Sequence, residues 1–183
     1  MNDDEARRRF TAMYDAHRNQ VWAYAAYMAD RQRADDLVSE TFVVAWRRFG
    51  EVPEPPLPWL LGVARNMVRE LIRAEGRQVT LESKLRRQAG PASSSTASIS
   101  QDEAVTTRVD VLRALAELRE NDRELLILTG WHELTPHEAA VVVGVTPTVV
   151  RVRLHRARRR LRMTLDSAPA ERELAREGHP DER

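Results

Sequence analysis

Apolar residues along the chain recur at spacings of three and four, and no stretch alternates with the period of two that a half-buried strand requires. Phe10, Met13, Tyr14, Val21, Trp22, Ala25 and Met28 fit one or two amphipathic helices. Leu37, Thr41, Phe42, Ala45, Trp46 and Phe49 form a second stripe, and Leu60, Val63, Ala64, Met67, Val68 and Leu71 a third. Between these two stripes lies GEVPEPPLP (Gly50–Pro58), whose prolines lack the amide proton and the backbone freedom a helix needs. Further on, Gly90–Ser100 reads GPASSSTASIS, too small and polar to bury the surface that would offset its ordering entropy. The pattern predicts an all-α fold of two small helical domains, 1–75 and 106–165, joined by a flexible linker over 76–105 and followed by a polar tail over 166–183. Domains this small have thin cores.

The second domain carries explicit start signals. Asn121–Glu124 and Thr135–Glu138 both match a capping box, in which a side-chain acceptor caps the helix and a Glu three positions on reaches back. Thr146-Pro147 offers another cap with Pro at the first helical position. One helix is therefore expected near Pro136 and another near Pro147, with Gly144 between them where a left-handed turn is cheapest. Ala139, Ala140 and Val143 are expected to face inward on the first helix, and Val150, Leu154, Ala157 and Leu161, spaced four, three and four, on the second. This is a helix-turn-helix.

Charge sharpens that reading. The 183 residues hold 29 basic and 28 acidic side chains, but residues 106–165 carry an excess of four positive charges, and Arg151–Arg162 contains seven Arg and no acid. A solvated helix face normally supplies Glu partners at i±4; here they are missing. An Arg-rich second helix suits the major groove. Arg151, near the helix start, can fork onto guanine; Thr146 and Thr148 can reach base edges or phosphate, and Val152 a thymine methyl. His155 lies on the same outer faces, and the later arginines Arg156, Arg158 and Arg159 are placed to hold phosphates, which set register rather than sequence.

Other classes find little support. With no Cys there are no disulfides, thiolate metal sites or Cys nucleophiles. The start, MNDDEARRRF, lacks the apolar core of a secretory signal, and the apolar run Ala139–Val150 is too short to span a bilayer, so a cytoplasmic protein without membrane insertion is expected. His132, Glu133, His137 and Glu138 give H-E-x-x-x-H rather than the H-E-x-x-H that puts two ligands on one helix face. No metal, cofactor or catalytic residue is expected. A stand-alone helix-turn-helix regulator that dimerises through its N-terminal helices remains the alternative, and it predicts palindromic operator binding without other proteins.

The segments DDLVSETFVVAW (Asp35–Trp46), PWLLGVARNMVRELIR (Pro58–Arg73), LRALAELRENDRELLILTGW (Leu112–Trp131) and LTPHEAAVVVGVTPTVVRVRLHRARRRLR (Leu134–Arg162) follow one another. In that order they resemble the extracytoplasmic-function sigma factors, the two-domain minimal class of bacterial initiation factor. The resemblance covers about 5–75 and 106–165. It implies a protein that binds core RNA polymerase and promoter DNA, recognises the minus-thirty-five and minus-ten elements and opens the duplex without being an enzyme. It implies that Asp35, Asp36, Ser39, Glu40 and Val43 meet the β′ clamp helices, with Leu37, Phe42 and Trp46 turned inward, and that the helix-turn-helix also meets the β flap. It further implies that Trp59, Arg65, Asn66, Arg69 and Arg73, with loop residues Glu51–Leu57, receive the minus-ten element and a flipped base, for which a core-anchor role of Trp59 stands as the alternative. An anti-sigma factor is a further implied partner. Pro55, Pro56 and Pro58 depart from the family's pattern in the loop, as do Val149 and Val152 in the recognition helix, where polar residues are common.

A linker of about 30 residues spans roughly 30 Å when relaxed and about 100 Å fully extended. Two DNA elements some two helical turns apart need about 70 Å. The free protein is therefore expected to bind promoter duplex weakly and to need polymerase as a scaffold. The acidic tail is a candidate competitor for the Arg-rich helix.

Overall fold

A computed structural model of the chain describes residues 3–86 and 114–177, with side chains placed through most of that range. The described residues include α1 (Asp3–Met28), α2 (Arg31–Arg47), α3 (Leu57–Arg86), α4 (Glu120–Gly130), α5 (Pro136–Val143) and α6 (Pro147–Glu177), with a 3-10 turn at Phe49–Glu51, and residues 114–116 are also helical. No strand occurs among them, so the all-α expectation holds.

The helices group into two compact units. The first combines α1, α2 and α3 with Leu134–Thr146, which includes α5; the second combines α4 with α6. The first unit is built on fully buried Val21, Tyr24 and Ala25 from α1, Ala34, Thr41 and Ala45 from α2, and Leu60, Leu61 and Ala64 from α3. Thr41 is tolerated there because its hydroxyl donates to the Leu37 carbonyl at 2.6 Å. At one end, Phe10 meets Phe42, Trp46 and Phe49 edge-on, with ring centroids 5.0–6.2 Å apart. Trp46, expected inside, is 43% exposed. Its ring lies over this aromatic cluster near the end of α2, with one side left to solvent.

α2 begins at Asp30, which has extended backbone and accepts a hydrogen bond from the Arg33 amide at 2.8 Å. Asp35 and Asp36 therefore lie inside the helix. α3 runs on to Arg86, so the first part of the expected linker is helical; its sequence there is dominated by residues compatible with a helix, with Gly76 the main exception. Residues 87–113, which hold the rest of the linker and the start of the second expected domain, lie outside the described residues. α6 likewise continues to Glu177, through most of the expected tail, and 178–183 lie outside the described residues.

α5 starts and stops as its sequence dictates. The Thr135 side chain accepts from the Glu138 amide at 3.2 Å, and the Thr135 amide donates to the Glu138 carboxylate at 2.8 Å, closing the capping box. The Thr135 hydroxyl, which donates to the same carboxylate at 2.7 Å, and the Thr135 amide hold the Glu138 carboxyl below the usual carboxylate range. Gly144 ends the helix at φ 70°, ψ 38°, in the left-handed region. The inward set differs from expectation: Ala139, Ala140 and Val142 are buried, and Val143 only half-buried. The reason is tertiary. Val142 backs onto α3, where a Cβ added at Gly62 would lie 3.9 Å from its Cα. An Ala at Gly62 would make only ordinary van der Waals contact there, so this packing does not itself explain the glycine's mid-helix cost of about 1 kcal/mol.

The second expected capping box does not form. α4 begins at Glu120, with Arg119 as a cap lacking a side-chain hydrogen bond, and the amides of Asp122 and Arg123 donate to the Arg119 carbonyl at 2.9 Å. Asn121 is inside the helix. Glu124 is buried beside Leu125 on the helix's inner face. His132, just past α4, is also buried, and burial pushes its imidazole pKa below the ordinary value.

Candidate functional site

The second unit presents a two-faced helix. Val150, Leu154 and Ala157 of α6 are buried, and Leu161 is half-buried. Two contacts fix the helix to its neighbours: the Arg160 guanidinium pairs with Asp122 of α4 at 3.3 Å, and the Thr164 hydroxyl donates to Glu117 at 3.4 Å. One arginine of the run is thus structural. Thr146, Thr148, Arg151, Val152, His155, Arg156, Arg158 and Arg159, all named from sequence, are exposed. At 3.6 residues per turn, Thr148, Val152, His155 and Arg159 fall opposite the buried stripe, with Arg151 and Arg158 to one flank. This face offers cations, a hydroxyl and an aliphatic group, and from Arg151 to Arg162 it carries no acid. That inventory suits phosphates and base edges.

In the first unit, α3 exposes Asn66, Arg69 and Arg73 at helical spacing. Arg65, expected beside them, is only 7% exposed. It stands four residues after Leu61 and three before Val68, both buried, so it lies on the covered face. Trp59, in the first turn of α3, is half-buried, and the Arg48 guanidinium sits over its ring, 5.8 Å from the centroid. Arg48 is itself held by Glu51, to which its Nε donates at 3.0 Å. The arginine keeps the Glu51 carboxyl below its usual range, and the carboxylate raises the arginine in turn. Arg48 and Glu51 had no signal as a pair in the sequence, although their spacing of three suits the 3-10 turn that joins them. The Glu54–Pro55 peptide in the adjoining loop is cis.

The third surface is the outer edge of α2. Asp35, Asp36, Ser39, Glu40 and Val43 are all exposed, as expected. Asp35 accepts a hydrogen bond from the Trp22 indole at 3.0 Å, and its carbonyl accepts from the Ser39 hydroxyl at 2.9 Å, so this part of the edge is tied to α1 and to itself. Asp36 and Glu40 instead border an open groove of about 480 Å³ between α2 and α3, floored by Leu37, Met67 and Leu71 and rimmed also by Arg33, Glu70 and Arg77. The groove was not foreseen, because its two walls are 30 residues apart in sequence.

His132, Glu133, His137 and Glu138 do not converge: His132 is buried, His137 is exposed, and Glu138 closes the cap of α5. Among the described residues no group of three or more His, Cys, Asp or Glu is placed to hold a metal ion, and no helix is long and apolar enough to cross a membrane.

The chain thus presents an acid-edged helical surface on α2 and, after a tight turn, an exposed basic face on α6. Residues 13–78 match the family model for Sigma-70 region 2, and residues 108–161 match that for Sigma-70, region 4. The chain is 32% identical over 159 residues to the ECF RNA polymerase sigma factor SigL of Mycobacterium tuberculosis, covering 84% of this chain and 87% of that protein. It is 29% identical over 166 residues to the RNA polymerase sigma factor CarQ of Myxococcus xanthus, covering 88% and 92%. Its fold is similar to that of the sigma factor RpoE in complex with the anti-sigma factor NepR from Bartonella quintana, with a TM-score of 0.67, 24% identity and coverage of 86% and 96%. CnrH, solved in complex with the cytosolic domain of CnrY, gives a TM-score of 0.60 at 25% identity, covering 88% of this chain and 90% of that one. The chain belongs to the extracytoplasmic-function (ECF) sigma factors of RNA polymerase. It is an alternative sigma factor of transcription initiation.

Proposed function

We propose that α6 and the preceding Thr146 read the minus-thirty-five element, α6 through Thr148, Arg151 and Val152, with His155, Arg156, Arg158 and Arg159 on phosphates. The observation that carries this is the partition of α6: buried Val150, Leu154 and Ala157 on one side, and an exposed basic face without acids on the other. Asn66, Arg69 and Arg73 of α3, with Trp59, receive the minus-ten strand. A base entering Trp59 meets Arg48 first. An exposed cation–π contact contributes about 0.5–1 kcal/mol, whereas stacking of a base on an aromatic ring contributes about 1–3 kcal/mol, so the base displaces the guanidinium. Arg65 is left out of this surface because it is buried.

The α2 edge, with Asp36, Glu40 and exposed Val43, is the surface for the β′ clamp helices, where rim charge sets encounter and register; the β flap meets the second unit. The chain contributes recognition and strand opening, not bond chemistry, and it works among the nucleic acid and polymerase of the cytoplasm. That two structural relatives were solved with an anti-sigma factor or with the cytosolic domain of CnrY supports an anti-sigma partner here as well. Run-off transcription with purified core polymerase and a promoter library tests the assignment. New start sites should appear when the chain is added, and Asp36→Arg/Glu40→Arg should abolish them while leaving the chain folded. If core polymerase gains no start-site choice, the reading fails.

A further inference from the structure

We propose that Glu51 is a specificity-determining residue: the Arg48 guanidinium holds the place of the flipped base on Trp59, and the base that replaces it is selected by the hydrogen-bond donors its edge presents to the Glu51 carboxylate. The inference deepens the minus-ten assignment above and rests on it. The guanidinium is planar, lies over the Trp59 ring 5.8 Å from its centroid, and directs two N–H groups, Nε and Nη2, to one oxygen of Glu51. A flipped base read through its edge has the same three features: a flat face on an aromatic ring, a rim of N–H donors, and an acceptor facing that rim. The free chain is therefore already arranged around a planar group with donors on one side.

The backbone of Glu51 is fixed apart from its side-chain pair. Its amide donates to the Arg48 carbonyl at 2.8 Å in the 3-10 turn, so the residue keeps its place when the guanidinium leaves. Arg48 and Glu51 are exposed and Trp59 is half-buried, so a single strand reaches all three without disturbing the core. Arg48 holds the carboxyl below its ordinary range, and an ordinary Glu is still ionised at neutral pH, so with or without the arginine this group only accepts. Cytosine, adenine and guanine each carry an exocyclic amine that can donate to it. Thymine carries none. It offers one ring N–H between two carbonyl oxygens, which a carboxylate repels, so thymine is the excluded base. The displaced Arg48 keeps its charge and passes to a strand phosphate, which adds affinity without reading sequence.

Run-off transcription with core polymerase measures this on promoters carrying each of the four bases, and amine-free analogues of the preferred base, at every minus-ten position. With the unmodified chain, one position should lose at least fivefold on thymine and lose as much when only the amine is removed. Glu51→Gln, whose amide both donates and accepts, should bring that ratio below twofold and leave the preferences at other positions unchanged. Arg48→Ala should lower transcription from all promoters alike and keep the ratio. Thymine accepted at every position, a ratio that Glu51→Gln leaves intact, or a ratio lost in Arg48→Ala while Glu51 is present would each overturn the proposal. If the unmodified chain gives no new start sites with core polymerase, it is the promoter-reading assignment that fails instead.

Discussion

Arg151 and Arg159 are both exposed on α6, yet they sit at different points along it, and the distinction has measurable consequences. Arg151 lies in the first turns, where side chains reach base edges, so Arg151→Ala should cost about 1–3 kcal/mol on the preferred upstream sequence and relax selectivity at one position. Arg159 is two turns further on, and Arg159→Ala should weaken all sequences alike and reduce the salt slope by about one. Binding of the polymerase-associated protein to a panel of upstream elements at several salt concentrations separates the two; identical behaviour would remove the division of the helix. His132 makes a different prediction. Burial lowers its pKa below the roughly 6.5 of the unfolded chain. Between the two values the unfolded state binds more protons, so stability is complete above about pH 6.5 and declines as the pH falls through the folded value. Thermal melts of the wild type and His132→Leu should differ in slope on acidification, by at most about 1.4 kcal/mol per pH unit. Parallel curves would show that the imidazole is not what titrates. Individual positions were legible where burial follows helical spacing, as in Val150, Leu154 and Ala157. They were not where a neighbour covers a polar residue, as with Arg65, or stops short of covering an apolar one, as with Trp46.

At the scale of elements, local chemistry decides the ends of helices more firmly than their lengths. Thr135, Glu138 and Gly144 bound α5 by hydrogen bonds and backbone conformation that involve no other element, so its bounds could be read directly. Asn121–Glu124 has the same lettering but does not cap, because α4 already starts at Glu120 and Asn121 lies within it. α3 runs on to Arg86 over a stretch poor in apolar residues, because charged side chains compatible with a helix can extend it without a buried stripe. Removing the cap gives the test: Thr135→Ala should destabilise the first unit by about 1 kcal/mol, read as a lower denaturation midpoint with unchanged slope. An unaltered midpoint would mean that tertiary packing, not the cap, fixes the start of α5.

For the whole molecule, the decisive feature is that α5 packs against α3, with Gly62 meeting Val142 across 80 positions of sequence. Helical periodicity, the Thr-Pro and capping signals, the glycine turn, the acid-free arginine run and the ordered motifs of a sigma factor were all present in the amino-acid order, because each depends on neighbours within a few residues. The groove between α2 and α3, the guanidinium over Trp59, the covering of Arg65 and the seat for Val142 at Gly62 arose only when distant segments met. Local patterns specify which faces want to be buried. Which partner buries them is settled by shape and distance between elements, and those exist only in the folded chain.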